Sequence, residues 1–390
     1  MVKVEKYIPI SFTSIAIFFC YMMTFVSFPG LEIYNKIKYV LMLIVYVYIV
    51  VHYKDLKCPR ISAVEKIFFL AYIVLSFNAS IRNLGGAVMR DPLIQCIGYC
   101  GTLLANFLLM IIICNTDRLN KLAKIYWRTS FALVIVADIS ILLGVSYSGG
   151  NYLIGTKFGV AYHHIRTLLI FLMYVRKWDL RNKFFLALQL LITLLINIRT
   201  DCATGIIGTA FVLFLLLLFS KEVKIVLSPF CQTGLLLASA LFPILYKPLL
   251  DSKIAHFIIE DIFHRKMNLT GRTRIYSLIP DIFGDHILIG DGINTNVEMC
   301  GRWGVSNIQN GLLKVMMESG LIAAIVILVL YFLIFRRAKE SNGRIERALS
   351  SYLILMTLLS TIEITISLST LTVLLYLCVL TSYLKEKEKE

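Results

Sequence analysis

Residues 93–114, LIQCIGYCGTLLANFLLMIIIC, carry no charged side chain. Wound as a helix rising 1.5 Å per residue, a stretch of that length crosses some 30 Å of hydrocarbon with every backbone group hydrogen-bonded inside itself. A half-buried strand would alternate apolar and polar residues; this run does not, so it reads as a membrane-spanning helix.

Outward from it, comparable runs recur in both directions. The spans expected are 7–28, 37–53, 63–79, 93–114, 129–146, 161–175, 183–198, 202–219, 225–246, 318–335, 349–365 and 367–384. The first has no small-residue cleavage site and is followed by many more, so it reads as a retained span, not a signal peptide. Of the 390 residues 58% are hydrophobic and 16% charged, against roughly a quarter charged in a soluble domain. The fold expected is therefore all-α: a polytopic integral membrane protein of about twelve spans with one large external loop between spans nine and ten. Its parts are 1–246 (nine spans), 247–317 (the loop, with short amphipathic helices) and 318–390 (three spans and a charged tail).

Cations set the orientation. With the N-terminus in the cytoplasm, the inner loops carry 24 Lys and Arg and the short outer loops 6. Positive charge stays inside, so both termini are expected in the cytoplasm. The net charge of +15 is explained by those short loops, and with no basic domain nucleic acid is not an expected partner. Eight further cations, Arg272 and Arg274 among them, lie in 247–317, where a long loop escapes the orientation rule and another explanation is needed. Most of the nine cysteines sit in apolar runs, with no C-x-x-C pair and no disulfide framework.

Within the loop, residues 269–295, LTGRTRIYSLIPDIFGDHILIGDGINT, place Ile275, Leu278, Ile279 and Ile282 at helical spacing after Thr270 as N-cap. This predicts a short amphipathic helix on the membrane surface, ended or kinked near Pro280. Arg272 and Arg274 in its first turn oppose the helix dipole unless an anion binds there. Next comes a glycine-framed turn, 284–292, with Asp285 and Asp291 around His286. Glycines admit close backbone approach to a ligand, and histidine exchanges protons near neutral pH; the plainer reading is a solvated polar turn. Asn310, Lys314 and Glu318 recur every four residues, where Lys314 and Glu318 can simply pair. Asp138, His163, His164 and Arg166 fall within or at the edges of spans, where ionisable groups are costly and mark function; Arg166 snorkelling to headgroups is the bland alternative. There is no Walker loop, D-x-D pair or H-E-x-x-H, so no cofactor or metal is expected.

At these residues the chain resembles the O-antigen ligase and Wzy-type polysaccharide polymerase superfamily. Gly271, Arg272 and Tyr276 followed by His286, Gly290, Asp291 and Gly292 are similar to its Gly-Arg-aromatic and His-Pro-x-x-Gly-x-Gly pattern, with Ile287 in place of proline. Arg199 and Gly205 echo its Ser-Arg-x-Gly turn. Asn310, Leu313, Glu318 and Gly320 match a further motif in which Gln309 stands where ligases have histidine, and Ser360 to Glu363 resembles a closing Ser-Thr-Ile-Glu. A glutamine is no base, which sets a polymerase ahead of a ligase.

The resemblance implies transfer of a growing glycan from undecaprenyl pyrophosphate to a lipid-linked repeat unit, on the outer face of the bacterial cytoplasmic (inner) membrane. The partners implied are that lipid-linked oligosaccharide, membrane lipid, and flippase and chain-length regulator proteins. Arg272, Arg274 and Arg199, with Arg166, are expected to hold the pyrophosphate. His286 is the first choice of base, with Asp285, Asp291 and Glu318 behind it. Tyr276, Gly290, Gly292, Gln309, Asn310, His163 and His164 are the expected substrate contacts. A ligase acting on another acceptor, or a lipid-linked glycan flippase or other transporter, remain the rival readings; the transporter predicts charged cavities within the bundle and inverted repeats.

Overall fold

The computed structural model describes residues 10–29, 31–57, 61–84, 91–145, 151–220, 227–257, 261, 272–284, 287–340 and 343–387. Within them the chain is helical, and the β-pairing present is an isolated bridge between Tyr152 and Gly155. The long helices are α1 (Ile10–Phe25), α2 (Glu32–Val51), α3 (Ala63–Arg82), α4 (Pro92–Asn115), α5 (Leu119–Leu142), α6 (Lys157–Tyr174), α7 (Leu180–Arg199), α8 (Ala203–Ser220) and α9 (Pro229–Leu250). Four short helices follow: α10 (Lys253–His256), α11 (Arg272–Ser277), α12 (Ile279–Phe283) and α13 (Asn296–Arg302). Then come α14 (Gly311–Ala338), α15 (Arg344–Leu359) and α16 (Leu368–Lys387).

Helix starts follow from local chemistry. Ser62 and Glu65 form a reciprocal capping box on α3, Asp91 caps α4 with Pro92 in its first turn, and Asp179 and Asn310 cap α7 and α14. Each cap supplies an acceptor to first-turn N–H groups that have no partner inside the helix.

Among the described residues eight helices, α2, α3, α4, α5, α7, α9, α14 and α16, are long and apolar enough to cross a membrane. The chain is an all-helical, multi-pass membrane protein. Shorter apolar segments occur in α1 and α8. The two remaining long helices, α6 and α15, carry His163, His164 and Arg166, and Arg344, Glu346 and Arg347, yet both are buried along most of their length. A helix walled by protein need not present hydrocarbon to lipid, so these two concentrate the polar groups. Outer helices do the reverse: Leu180, Phe184, Leu191, Leu195 and Ile198 on α7 are all exposed.

Four expectations are corrected. The span expected from 318 belongs to a longer helix, α14, which begins at Gly311 with Asn310 as its cap and takes in Lys314 and Glu318, paired at 2.7 Å one turn apart. Helix α9 runs over Pro229–Leu250 rather than 225–246. Helix α15 covers Arg344–Leu359 rather than 349–365, and Glu363 lies in the connection between the last two long helices. The amphipathic segment breaks before Pro280 as expected, but Ile275, Tyr276, Ile279 and Ile282 pack against Tyr246, Leu313 and Met317. Its apolar face is covered by α9 and α14 instead of by lipid.

Candidate functional site

Helix α14 is two helices joined at Gly320, whose φ of 88° and ψ of 165° leave the helical region. In an unbroken helix Met317 O would accept from Leu321 N. Here Leu321 N donates to Ile287 O at 2.8 Å, and the freed carbonyls of Met317 and Glu318 accept from Asp291 N (2.7 Å) and Gly292 N (3.0 Å). The segment 287–292 thus satisfies the backbone groups released by the break, which in a buried helix would otherwise cost free energy comparable to a lost hydrogen bond each. The fit demands glycine on both sides: a Cβ at Gly320 would lie 2.3 Å from Leu288 O, and one at Gly290 2.5 Å from Gly320 N. Gly292 meets Pro92 and Ser80, and Ile293 N donates to Ser80 Oγ at 3.1 Å. Gly290 and Gly292 therefore admit protein backbone and side chains, and Asp291 between them is buried. His286 and Asp285 lie outside the described residues.

A second cluster forms where the start of α11, the start of α6, the α7–α8 turn and the α15–α16 connection meet. Arg272 Nη2 donates to Glu363 Oε1 at 2.5 Å and its Nε to Ile362 O at 3.0 Å. Glu363 is 5% exposed. Burial pushes its carboxyl above the ordinary value, against the pull of Arg272 and, more weakly, Lys157. Lys157 Nζ itself reaches Asp201 O at 2.9 Å and Asp201 Oδ2 at 3.8 Å. The phenols of Tyr162 and Tyr276 are both within electrostatic reach of Arg272 and Glu363, and burial pushes the Tyr276 phenol up. Neither hydroxyl has a hydrogen-bond partner among the described residues, so two buried donors stand unused beside an ion pair.

Asn310 ties this cluster to the bundle. Its Nδ2 donates to Ser239 O at 2.7 Å and Thr361 O at 3.3 Å, while its Oδ1 caps Leu313 N. Ser360 Oγ donates to Ser239 Oγ at 2.8 Å. Next to it Gln309 holds a φ of +51°, and Asp201 one of +49°; a left-handed backbone in a non-glycine residue costs of order 1–3 kcal/mol and collects at functional sites. The Gln309 Oε1 is buried with no partner among the described residues.

Other expected site residues sit elsewhere. Arg274 and Arg199 are exposed. Glu318 is 3% exposed, with one oxygen on Lys314 and the other unpartnered among the described residues; it faces the phenols of Tyr72 and Tyr99 on α3 and α4. Deeper in α6, His164 Nε2 lies 2.8 Å from Asp138 Oδ1 and its Nδ1 3.3 Å from Thr193 Oγ1, stapling α5, α6 and α7. His163 Nε2 lies 3.3 Å from the Tyr21 hydroxyl. Arg166 donates to Phe25 O at 2.9 Å, at the carbonyl end of α1, and stacks on the Phe25 and Tyr352 rings. A helix C-terminus and two aromatic faces stabilise its charge. The cavity it borders is lined by Phe25, Leu169, Ile170 and Met173 with Tyr126 and Tyr376, a mostly apolar wall that offers a pyrophosphate few donors besides the guanidinium.

Glu363, Tyr162, Lys157 and Asp201 of the Arg272 cluster were not among the expected site residues. Glu363 carried a signal, a lone carboxylate between two apolar stretches. Tyr162 and Lys157 carried none, since an aromatic in an apolar run and a lysine at its edge are ordinary. Among the described residues no three His, Cys, Asp or Glu side chains gather as a metal site. Compared with family models, curated proteins and solved structures, the chain matches none.

Proposed function

We propose that the chain is an oligosaccharide repeat-unit polymerase, transferring a glycan from a polyprenyl pyrophosphate to a lipid-linked repeat unit at the outer face of a bacterial cytoplasmic membrane. On this reading the twelve long helices are twelve spans, the region between α9 and α14 is external, and both termini are cytoplasmic.

One observation carries the reading: segments singled out for their motifs, far apart in the chain, meet in pairs. Arg272 joins Glu363, Asn310 joins Thr361, and Gly290 abuts Gly320. Arg272 is the anion holder of choice, since a guanidinium fork offers two donors to a phosphate and needs no metal or nucleotide. Arg274 and Arg199, both exposed, suit the solvent side of a long anionic ligand, whereas the cavity beside Arg166 suits none of it. A pyrophosphate leaving group brings its own activation, so the protein supplies position and charge.

The test is direct: purified protein incubated with lipid-linked repeat units yields a glycan ladder on a gel. Absence of any ladder from well-folded protein overturns the reading, and single additions to a different acceptor establish a ligase. The Asp138–His164 pair and Arg166, buried in the bundle, favour a transporter as the second reading; flipping of a fluorescent lipid-linked glycan in proteoliposomes, with no ladder, would establish it.

A further inference from the structure

We infer that Glu363 is the proton acceptor for the incoming hydroxyl, and that the donor's pyrophosphate arms it by drawing Arg272 away. This rests on the pyrophosphate-dependent transfer proposed above.

The guanidinium that would hold the donor already has acceptors within the protein: Glu363 Oε1 takes Nη2 and Ile362 O takes Nε. A pyrophosphate carries more charge and more acceptor oxygens than one carboxylate, so it competes for the same fork. The groups facing Glu363 are Arg272 from α11, Lys157 and Tyr162 from α6, Tyr276 from α11 and Cys202 from the α7–α8 turn. With Arg272 turned to the ligand, Lys157 is the remaining cation of that set, and it is held at Asp201. A carboxylate that is 5% exposed and has lost its contact cation becomes a stronger base. Donor binding and base strength are thereby linked, each shift of Arg272 toward the pyrophosphate adding to the basicity of Glu363.

The unpartnered Tyr162 and Tyr276 hydroxyls complete the arrangement. Each can donate to a sugar or bridging oxygen without giving up a bond it already makes. In the step itself, the acceptor's hydroxyl proton passes to the Glu363 carboxylate and the hydroxyl oxygen bonds to the anomeric carbon. The carbon–oxygen bond to pyrophosphate breaks, and its electron pair leaves on the pyrophosphate oxygen facing Arg272. Departure of that anion returns Arg272 to Glu363, whose proton is then released.

The experiment compares the full-length wild type with Glu363→Gln, Glu363→Asp and Glu363→Ala, each monodisperse, for polyprenyl pyrophosphate binding and for transfer rate across pH. Expected for Glu363→Gln is binding at least as tight as wild type, because the competing carboxylate is gone, with transfer down roughly 10²- to 10⁴-fold and no fall in the residual rate on the acid side. Glu363→Asp, which keeps the ion pair if the glutamine variant does not fold, retains the acid limb at reduced rate, and formate added to Glu363→Ala restores transfer in proportion to its concentration. Wild-type transfer by Glu363→Gln overturns the base assignment while leaving the polymerase reading intact. So does an inactive Glu363→Asp with no formate rescue of Glu363→Ala, or an active Glu363→Gln beside a dead His286→Ala. A wild type that makes no ladder overturns both.

Discussion

At the residue scale the informative contrast is between two arginines. Arg166 and Arg272 both look like anion holders in sequence, yet one is held by a helix end and two rings and the other by a buried carboxylate. Arg272 uses two different nitrogens on two different acceptors, a geometry an ammonium cannot copy. Arg272→Lys is therefore expected to weaken donor binding roughly 10- to 100-fold, the equivalent of about 1.5–3 kcal/mol for a charge-assisted bond; a polymer of wild-type length at limiting donor would remove Arg272 from the site. Glu363 adds a pH signature. Its folded-state pKa is raised by burial, so the folded protein holds a proton that the unfolded chain releases above about pH 4.3. Stability from this group is full below that value and lost as pH rises through the folded pKa. Glu363→Gln should flatten that portion of a plot of melting temperature against pH, and an unaltered slope would refute the assignment.

The element that most shapes the molecule is α14. At 28 residues and 1.5 Å per residue it would be about 42 Å long if straight, longer than a bilayer's hydrocarbon. Gly320 divides it and the 287–292 segment fills the gap. Ser76 Oγ to Ser319 Oγ at 3.0 Å and Glu65 to Arg337 at 2.7 Å fasten its two parts to α3. Gly320→Ala puts a Cβ against a backbone carbonyl that has no rotamer to escape into, and strains a φ of 88° besides. The expected loss is about 1–3 kcal/mol from the backbone conformation alone, read as a lower melting temperature together with new protease cleavage within 287–292. Wild-type melting would mean that the two segments part without cost. The polar staple through α6 makes an independent prediction: Asp138→Ala strands His164 and should destabilise by about 1–3 kcal/mol, visible in the melt of purified protein whatever reaction it performs.

For the whole molecule, orientation is what ties the Arg272 cluster to an external substrate. Exposed Arg274 and exposed Trp178, the latter between α6 and α7, lie on opposite sides if the cation asymmetry of the loops sets the topology. In a Cys231→Ser background, since Cys231 is an exposed thiol, a membrane-impermeant maleimide added to intact cells should label Arg274→Cys and spare Trp178→Cys until the membrane is opened. The reverse pattern would place the cluster in the cytoplasm and end the proposed role.

Membrane class and the approximate course of the long helices were legible in the sequence by itself, because crossing hydrocarbon is a property of some twenty consecutive residues and needs no knowledge of neighbours. The break near Pro280 was legible for the same reason, as proline acts on its own turn. The pairing of Lys314 with Glu318 was too, being one helical turn long. Tertiary structure alone decided which charges meet. Arg272 finds Glu363 across 91 residues, and Gly290 serves Gly320 rather than a ligand. The amphipathic face of α11 and α12 lies on α9 and α14, and polar α6 and α15 are sheltered in the interior. In each case local composition left several outcomes open, and which buried polar group is satisfied, and by what, depends on which helices the packed bundle brings side by side.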